Sequence, residues 1–229
     1  MGVSVAALRR YPVKSMGGEA LASVVLNPRG LEGDRWYAVT DADGHFASGK
    51  STRRFRRRDQ VFTYTASTAP SGDVVAAGAD GEWPVGERSL DEELTRAMGV
   101  EVRVTPEEQI PHQDMGSVSL VGTATLAWCA ERWGINPDPR RLRVNIVLAT
   151  DEPFVEEQWT DRVLGVGSAA LRVVQRVPRC RMVDIDQDGA RADGRLLKPL
   201  TRERDMFLAM YADVEQVGVI ALGDEVTIS

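Results

Sequence analysis

The chain has 229 residues and a mass of 25.1 kDa. At roughly 100–200 residues per domain, that is one large domain or two small interlocked ones. It is 43% hydrophobic and 27% charged, which excludes a disordered chain, and its net charge of −6 argues against a general nucleic-acid or membrane binder. Two cysteines, Cys129 and Cys180, cannot build a disulfide framework, so a reducing, cytoplasmic setting fits. No window approaches about 18 consecutive apolar residues, so no transmembrane helix is expected. Residues 1–11 are too short an apolar run for a signal peptide.

Taken in chain order, short apolar runs predict strands over residues 3–10, 22–26, 35–40 and 45–48. The last two are joined by the turn Asp41-Ala42-Asp43-Gly44. Further strands are expected at 61–66, 74–77, 100–105, 117–121, 143–149, 170–177, 181–185, 212–217 and 225–228. Helices are few. One is expected over 90–98, capped by Ser89 and closed by Gly99. A second, 124–133, is opened by Thr123 and closed by Gly134, with Leu126, Ala130 and Trp133 on one stripe. A short charged helix is expected at 201–206. Many short strands between Gly and Asp turns predict a mainly β fold, a barrel or a sandwich. A soft boundary near residue 95 divides the chain into 1–95 and 96–229, with one shared core.

Two motif matches lack their context. Gly44-His45-Phe46-Ala47-Ser48-Gly49-Lys50-Ser51 fits the phosphate-cradling P-loop pattern, which needs a strand before it and a buried helix after it. The next stretch of chain is Arg53–Arg58, five arginines in six positions, unsuited to a helix under a sheet. A hairpin with a polar loop is the better account. Asp184-Ile185-Asp186-Gln187-Asp188-Gly189 opens like a calcium loop, but position twelve is Arg195 where a carboxylate is required. The arginine run suits a solvated loop or a small anion better than a long polymer.

Three stretches share one chemistry. Tyr11-Pro12-Val13-Lys14-Ser15 with Gly33-Asp34-Arg35-Trp36 supplies an ammonium, a hydroxyl and a guanidinium, all phosphate-binding groups. Arg143-Val144-Asn145-Ile146 supplies a second guanidinium beside an amide. Val177-Pro178-Arg179-Cys180 puts a thiol between Arg179 and Arg181, a setting that favours the thiolate, the form that binds soft metals. By chemistry alone this is an anionic ligand plus a reactive thiol.

With Asp114, the helix start at Thr123, Glu156–Trp159 and a closing Gly218-x-Ile220-x-x-Gly223-Asp224-x-Val226, these motifs run in an order that resembles the MOSC-domain family, named for the C-terminal domain of molybdenum cofactor sulfurases. The resemblance spans nearly the whole chain and includes the N-terminal β-rich region found in the mitochondrial amidoxime-reducing component and its bacterial relatives. It implies a MOSC-type β-barrel, interlocked with the N-terminal β-rich region and flanked by a few peripheral helices. It implies that molybdenum cofactor (molybdopterin) is held by Lys14, Ser15, Arg35, Arg143, Asn145 and Arg179. The hydroxyls and N–H donors of Thr123 and Thr125 would add to them at a helix start. Cys180 is implied as molybdenum ligand and catalytic residue.

The implied activity is reduction of N-hydroxylated small molecules, with electrons from a separate donor protein. No nucleic-acid or membrane partner is expected, and no pyridoxal-phosphate domain. The alternatives are a sulfur or cofactor carrier using a Cys180 persulfide and, remotely, a P-loop protein. The sequence departs from the family's reductases where hydroxyl residues give way to Val183 and Asp184. A carboxylate there would repel an anionic cofactor unless it points away or takes up a proton.

Each residue also has a purely structural account. Lys14 and Ser15 suit strand-end solvation, Arg35 and Arg143 suit surface pairs with Asp34 and Glu157, and Asn145 suits strand backbone. Cys180 suits a small buried hydrophobe, the commoner fate of a lone cysteine, and Cys129 is expected to be one. Trp36 and Trp159 are expected in core or pocket walls. Neither His45 nor His112 has metal-ligand company in the sequence, so no zinc site is expected.

Overall fold

The strands Val118–Gly122 and Ile146–Ala149 are buried along nearly their whole length, the pattern of strands covered on both faces. They pair in parallel. A parallel pair needs a long crossover, and the helix Thr123–Trp133 lies within it. The computed structural model, which describes residues 2–229, extends this pair with antiparallel neighbours. Across the sheet the order is Val226–Ile228, Val163–Val166, Ala169–Pro178, Phe207–Gln216, Val118–Gly122, Ile146–Ala149, Ser4–Arg10 and Glu19–Leu21.

This sheet curls until its ends meet. Val226 N donates to Val3 O at 2.8 Å, and Val5 N donates to Asp224 O at 2.9 Å, joining the first strand to the last and leaving Glu19–Leu21 outside the closure. Register shifts between Val5 and Ala7, and along Ala169–Pro178 against Phe207–Gln216, supply the bends that closure needs. Inside lie Val5, Leu8, Leu120, Ile146, Leu171 and Met210.

A smaller sheet carries Val102–Pro106, Tyr37–Asp41, Phe46–Ser48 and Phe55–Arg57, with Val13–Lys14 beside Tyr37–Asp41. Its Val13, Val39 and Ala47 pack with Val61, Leu90 and Leu94 in a second core. Position 95 lies within the helix Arg88–Met98. Pairing crosses it, with Val102–Pro106 on Tyr37–Asp41 and Ser23–Asn27 on Gly218–Ala221. The fold is mainly β with few helices, as the strand pattern predicts.

Several local expectations are corrected. Residues 181–185 form the 3-10 turn Arg181–Asp184, because Val183 is drawn into a third core beside Leu142 and Leu196. Residues 61–66 divide into the 3-10 turn Asp59–Thr63, which buries the adjacent Val61 and Phe62, and the strand Thr65–Thr68. The expected strand at 143–149 begins only at Ile146, after the short helix Pro139–Leu142. The last helix is Leu197–Arg204. The helix Arg88–Met98 starts before Ser89, which therefore does not cap it.

The P-loop match fails for the reason given by its context. Phe46–Ser48 pairs with the strand Phe55–Arg57, where the motif requires a helix. The calcium-like loop spends its carboxylates on the protein: Asp184 accepts from Leu197 N at 3.1 Å, Asp186 from Ala192 N at 2.6 Å, and Asp188 pairs with Arg9.

Arg141 ties these parts together from a fully buried side chain. Its guanidinium donates to Val183 O at 2.9 Å, Asn136 O at 2.6 Å and Gly194 O at 2.7 Å. Arg141→Met leaves these carbonyls without a donor, and each such loss costs about 1–3 kcal/mol. Urea unfolding should show a loss of about 3 kcal/mol or more. An unchanged midpoint would contradict this role.

Candidate functional site

The seam between the barrel and the smaller sheet holds a cavity of about 330 Å³. Among its walls are Lys14, Arg35, Lys50, Arg54, Arg141, Arg143 and Arg179, against one carboxylate among the described residues, Asp114. Ser15, Asn145 and Cys180 line it as well. The structure thus brings together Lys14, Ser15, Arg35, Arg143, Asn145, Arg179 and Cys180 from separate stretches of chain.

Backbone strain marks three of these residues. Ser15 (φ 70°), Arg35 (φ 55°) and Arg143 (φ 53°) sit in the left-handed region, at a cost of roughly 1–2 kcal/mol each for a residue with a Cβ. Such strain concentrates at functional sites. Ser15 Oγ donates to Ala47 O at 2.9 Å. Arg35 pairs with the buried Asp34 and donates to Arg143 O at 3.1 Å. The pairing with Asp34 therefore exists, but in the interior rather than at the surface. Glu157 pairs with Arg204 and not with Arg143.

Tyr11 organises the inner wall. Its fully buried ring carries the Arg143 guanidinium at 4.3 Å and that of Arg35 at 5.1 Å. Burial pushes the Tyr11 hydroxyl up to about 12. Arg143 donates to Gln187 Oε1 at 3.3 Å, yet its Nη2 is buried with no partner among the described residues. Arg179 donates to Leu208 O and Leu142 O, each at 2.7 Å, and its Nη2 is likewise buried and unpartnered. Burial lowers both guanidiniums to about 10, because desolvation disfavours the charged form.

Asn145 is largely committed to the backbone. It accepts from Ser119 Oγ at 3.0 Å and donates to Arg9 O at 3.2 Å. Lys14 Nζ donates to His112 O at 2.6 Å and to Asp114 Oδ1 at 3.0 Å. Burial alone would raise the Asp114 carboxyl, but Lys14, with Arg35 and Lys50, outweighs it and holds the group at about 2.

Other expectations are corrected. Thr123 and Thr125 do not line the cavity. Thr123 Oγ1 donates to Thr150 O at 3.3 Å, and the buried Thr125 Oγ1 donates to Glu156 Oε2 at 2.9 Å. Their hydroxyls fasten the helix start to the loop after Ile146–Ala149. Asp184 does not line the cavity either, since it caps Leu197 N, whereas Val183 is part of the wall. Trp159 is in the barrel core, but Trp36 is 38% exposed and lies outside the cavity wall. Cys129 is buried, and burial pushes its thiol up to about 12.

His45 does have acidic neighbours: ligand atoms of Asp41, Asp43 and His45 lie within 4.8 Å of one another. The Asp41 carboxylate is spent there on the turn, accepting from Asp43 N, His45 N and Arg58. Sequence reasoning misses Lys50, Arg54 and Tyr211 as cavity residues. For the first two the charge is the signal, hidden in the P-loop match and the arginine run.

Burial lowers the Lys14 ammonium to about 8, against the opposing pull of Asp114. Lys14 is therefore charged below that pH and neutral above it. Sulfate affinity, measured calorimetrically, should fall about fivefold from pH 7 to 9, the worth of roughly 1 kcal/mol of charge interaction. Lys14→Met should flatten the decline. An affinity that does not change with pH in the wild type would contradict the assignment.

Comparison with known proteins places this geometry. Residues 107–227 match the MOSC domain, and residues 2–88 match the MOSC N-terminal beta barrel domain. Human mitochondrial amidoxime reducing component 2 is 23% identical, over 97% of this chain and 82% of its own. Zebrafish molybdenum cofactor sulfurase is 32% identical over 28% of this chain, a match that spans only 8% of that protein. The YuaD protein of Bacillus subtilis shares the fold, with a TM-score of 0.56 at 15% identity, over 100% of this chain and 96% of its own. With more than half its length on the one domain and most of the remainder on its N-terminal companion, the chain belongs to the MOSC domain family.

Proposed function

We propose that the cavity binds molybdenum cofactor and that the protein is an oxidoreductase reducing N-hydroxylated small molecules, with Cys180 as thiolate ligand of the metal. One observation carries the reading: Cys180 lines the same cavity as Arg143 and Arg179, each of which keeps a buried, unpartnered Nη2. A buried donor without an acceptor costs about 1–3 kcal/mol, and an oxyanion placed there removes that cost. The cofactor offers a phosphate for guanidiniums and a soft metal for a thiolate, so the donor set suits it. The names of the relatives, an amidoxime reducing component and a molybdenum cofactor sulfurase, favour the same reading.

In this reading Arg143, Arg179 and Lys14 hold the phosphate. Tyr11 and Asp34 keep Arg143 and Arg35 in place, while Ser15 and Asn145 shape the wall. The bound metal supplies two-electron oxygen-atom chemistry. Reduction of an N-hydroxyl group breaks the N–O bond, takes up two electrons and two protons, and releases water. The electrons come from a separate donor protein. Asp184 lies outside the cavity wall, with Oδ1 accepting from Leu197 N and 3.9 Å from Arg141 Nη2.

The test is molybdenum content by elemental mass spectrometry, on protein made in a host with excess cofactor. Wild type should carry near one molybdenum per chain, and Cys180→Ala should lose most of it. Wild-type protein without molybdenum or pterin would overturn the reading.

A further inference from the structure

The cavity carries more unanswered positive charge than one phosphate accounts for. Lys14 is paired with Asp114, Arg35 with Asp34, and Arg141 is spent on carbonyls. Arg143 and Arg179 remain on the barrel side. Lys50 and Arg54 remain on the other, in the loop between Phe46–Ser48 and Phe55–Arg57 of the smaller sheet.

These two cations are not part of a solvated run. Within Arg53–Arg58, Arg57 pairs with Asp59, Arg58 pairs with Asp41, and Arg56 donates to Thr52 O. Arg54 takes no such partner among the described residues. Its guanidinium lies against the rings of Phe46 at 5.2 Å and Phe55 at 5.6 Å, and its Nε and Nη2 are buried with nothing to donate to. Lys50 Nζ sits 4.8 Å from the Phe55 ring centroid. Aromatic faces hold cations in place without neutralising them.

The loop is also fixed. Thr52 N donates to Phe55 O at 3.0 Å, and Arg57 N donates to Ser51 Oγ at 3.0 Å. Arg181, the neighbour of Cys180, donates to Gly49 O at 2.9 Å. The backbone beside the thiol is thereby fastened to the residue before Lys50. A planar guanidinium with an unpartnered Nε and Nη2, and an ammonium against the same Phe55 ring, make a donor set for an oxyanion.

We propose that Lys50 and Arg54 form a second oxyanion subsite in the cavity, which selects substrates bearing a carboxylate or phosphate apart from the group that reacts; this rests on the reading of the cavity as the cofactor and substrate site. The arginine run thus has two jobs. Arg56, Arg57 and Arg58 hold the hairpin, and Arg54 reads the substrate's charge.

The test compares three probes by calorimetry on wild type and on the double variant Lys50→Gln, Arg54→Gln. They are neutral benzamidoxime, its para-carboxylate and its para-phosphate ester. In wild type a charged probe should bind roughly tenfold more tightly than the neutral one, and the ratio should fall to about one in the variant. The charged probe with the larger ratio identifies the substrate's anion. A ratio near one in wild type, or one that survives in the variant, overturns the proposal. Loss of molybdenum from the variant also overturns it, by giving the pair to the cofactor. Charge-selective binding without reduction of any probe would sink the catalytic reading and leave the subsite standing, whereas reduction without charge selectivity would sink the subsite alone.

Discussion

Burying guanidinium groups is the constraint on which this molecule depends. A charge removed from water is costly unless it is paired or hydrogen-bonded. The protein answers most of that cost with its own groups. Asp34 takes Arg35 and the amide of Tyr11, Asp188 takes Arg9, and three carbonyls take Arg141. At Arg143, Arg179, Arg54 and Arg204 the answer is left incomplete, and the first three of these line one cavity. Three of the four guanidiniums left short of acceptors thus meet at one place, a donor set suited to an anion.

The topology explains how such residues meet. The barrel contributes the ends of Ala169–Pro178 and the segment leading into Ile146–Ala149, which bring Arg179, Cys180, Arg143 and Asn145. The smaller sheet brings Lys14 from Val13–Lys14 and the loop bearing Lys50 and Arg54. Because Ser4–Arg10 is a barrel strand and Val13–Lys14 pairs in the other sheet, Tyr11 falls at the crossing point. There its ring lies against three guanidiniums, those of Arg143, Arg35 and Arg9. The left-handed turns at Ser15, Arg35 and Arg143 occur where the chain leaves or enters these strands.

Much of this is legible in the sequence, and the failures have physical causes. A strand with alternating burial, such as Ala169–Pro178, shows its period directly, whereas the bulge between Val5 and Ala7 breaks the alternation of Ser4–Arg10. Residues 181–185 look like a strand because Val183 and Ile185 alternate with polar residues, yet Arg141 bonds Val183 O and pulls the segment into a turn. The helix start at Thr123 is legible too, but propensity cannot say what a cap faces, and Glu156, thirty-one residues from Thr125, takes its hydroxyl. Lys14, Arg35, Arg143, Arg179 and Cys180 stand out because their stretches run in the order that resembles the MOSC-domain family. Arg54 does not, since only tertiary packing separates it from its salt-bridged neighbours.

The most direct test is a crystal structure of cofactor-loaded protein with anomalous data collected at the molybdenum edge. The expected result is one strong molybdenum peak within bonding distance of Cys180 Sγ, with the phosphate against the Nη2 atoms of Arg143 and Arg179. A metal bound away from Cys180, or a phosphate seated elsewhere while those nitrogens stay unpartnered, would contradict the central claim.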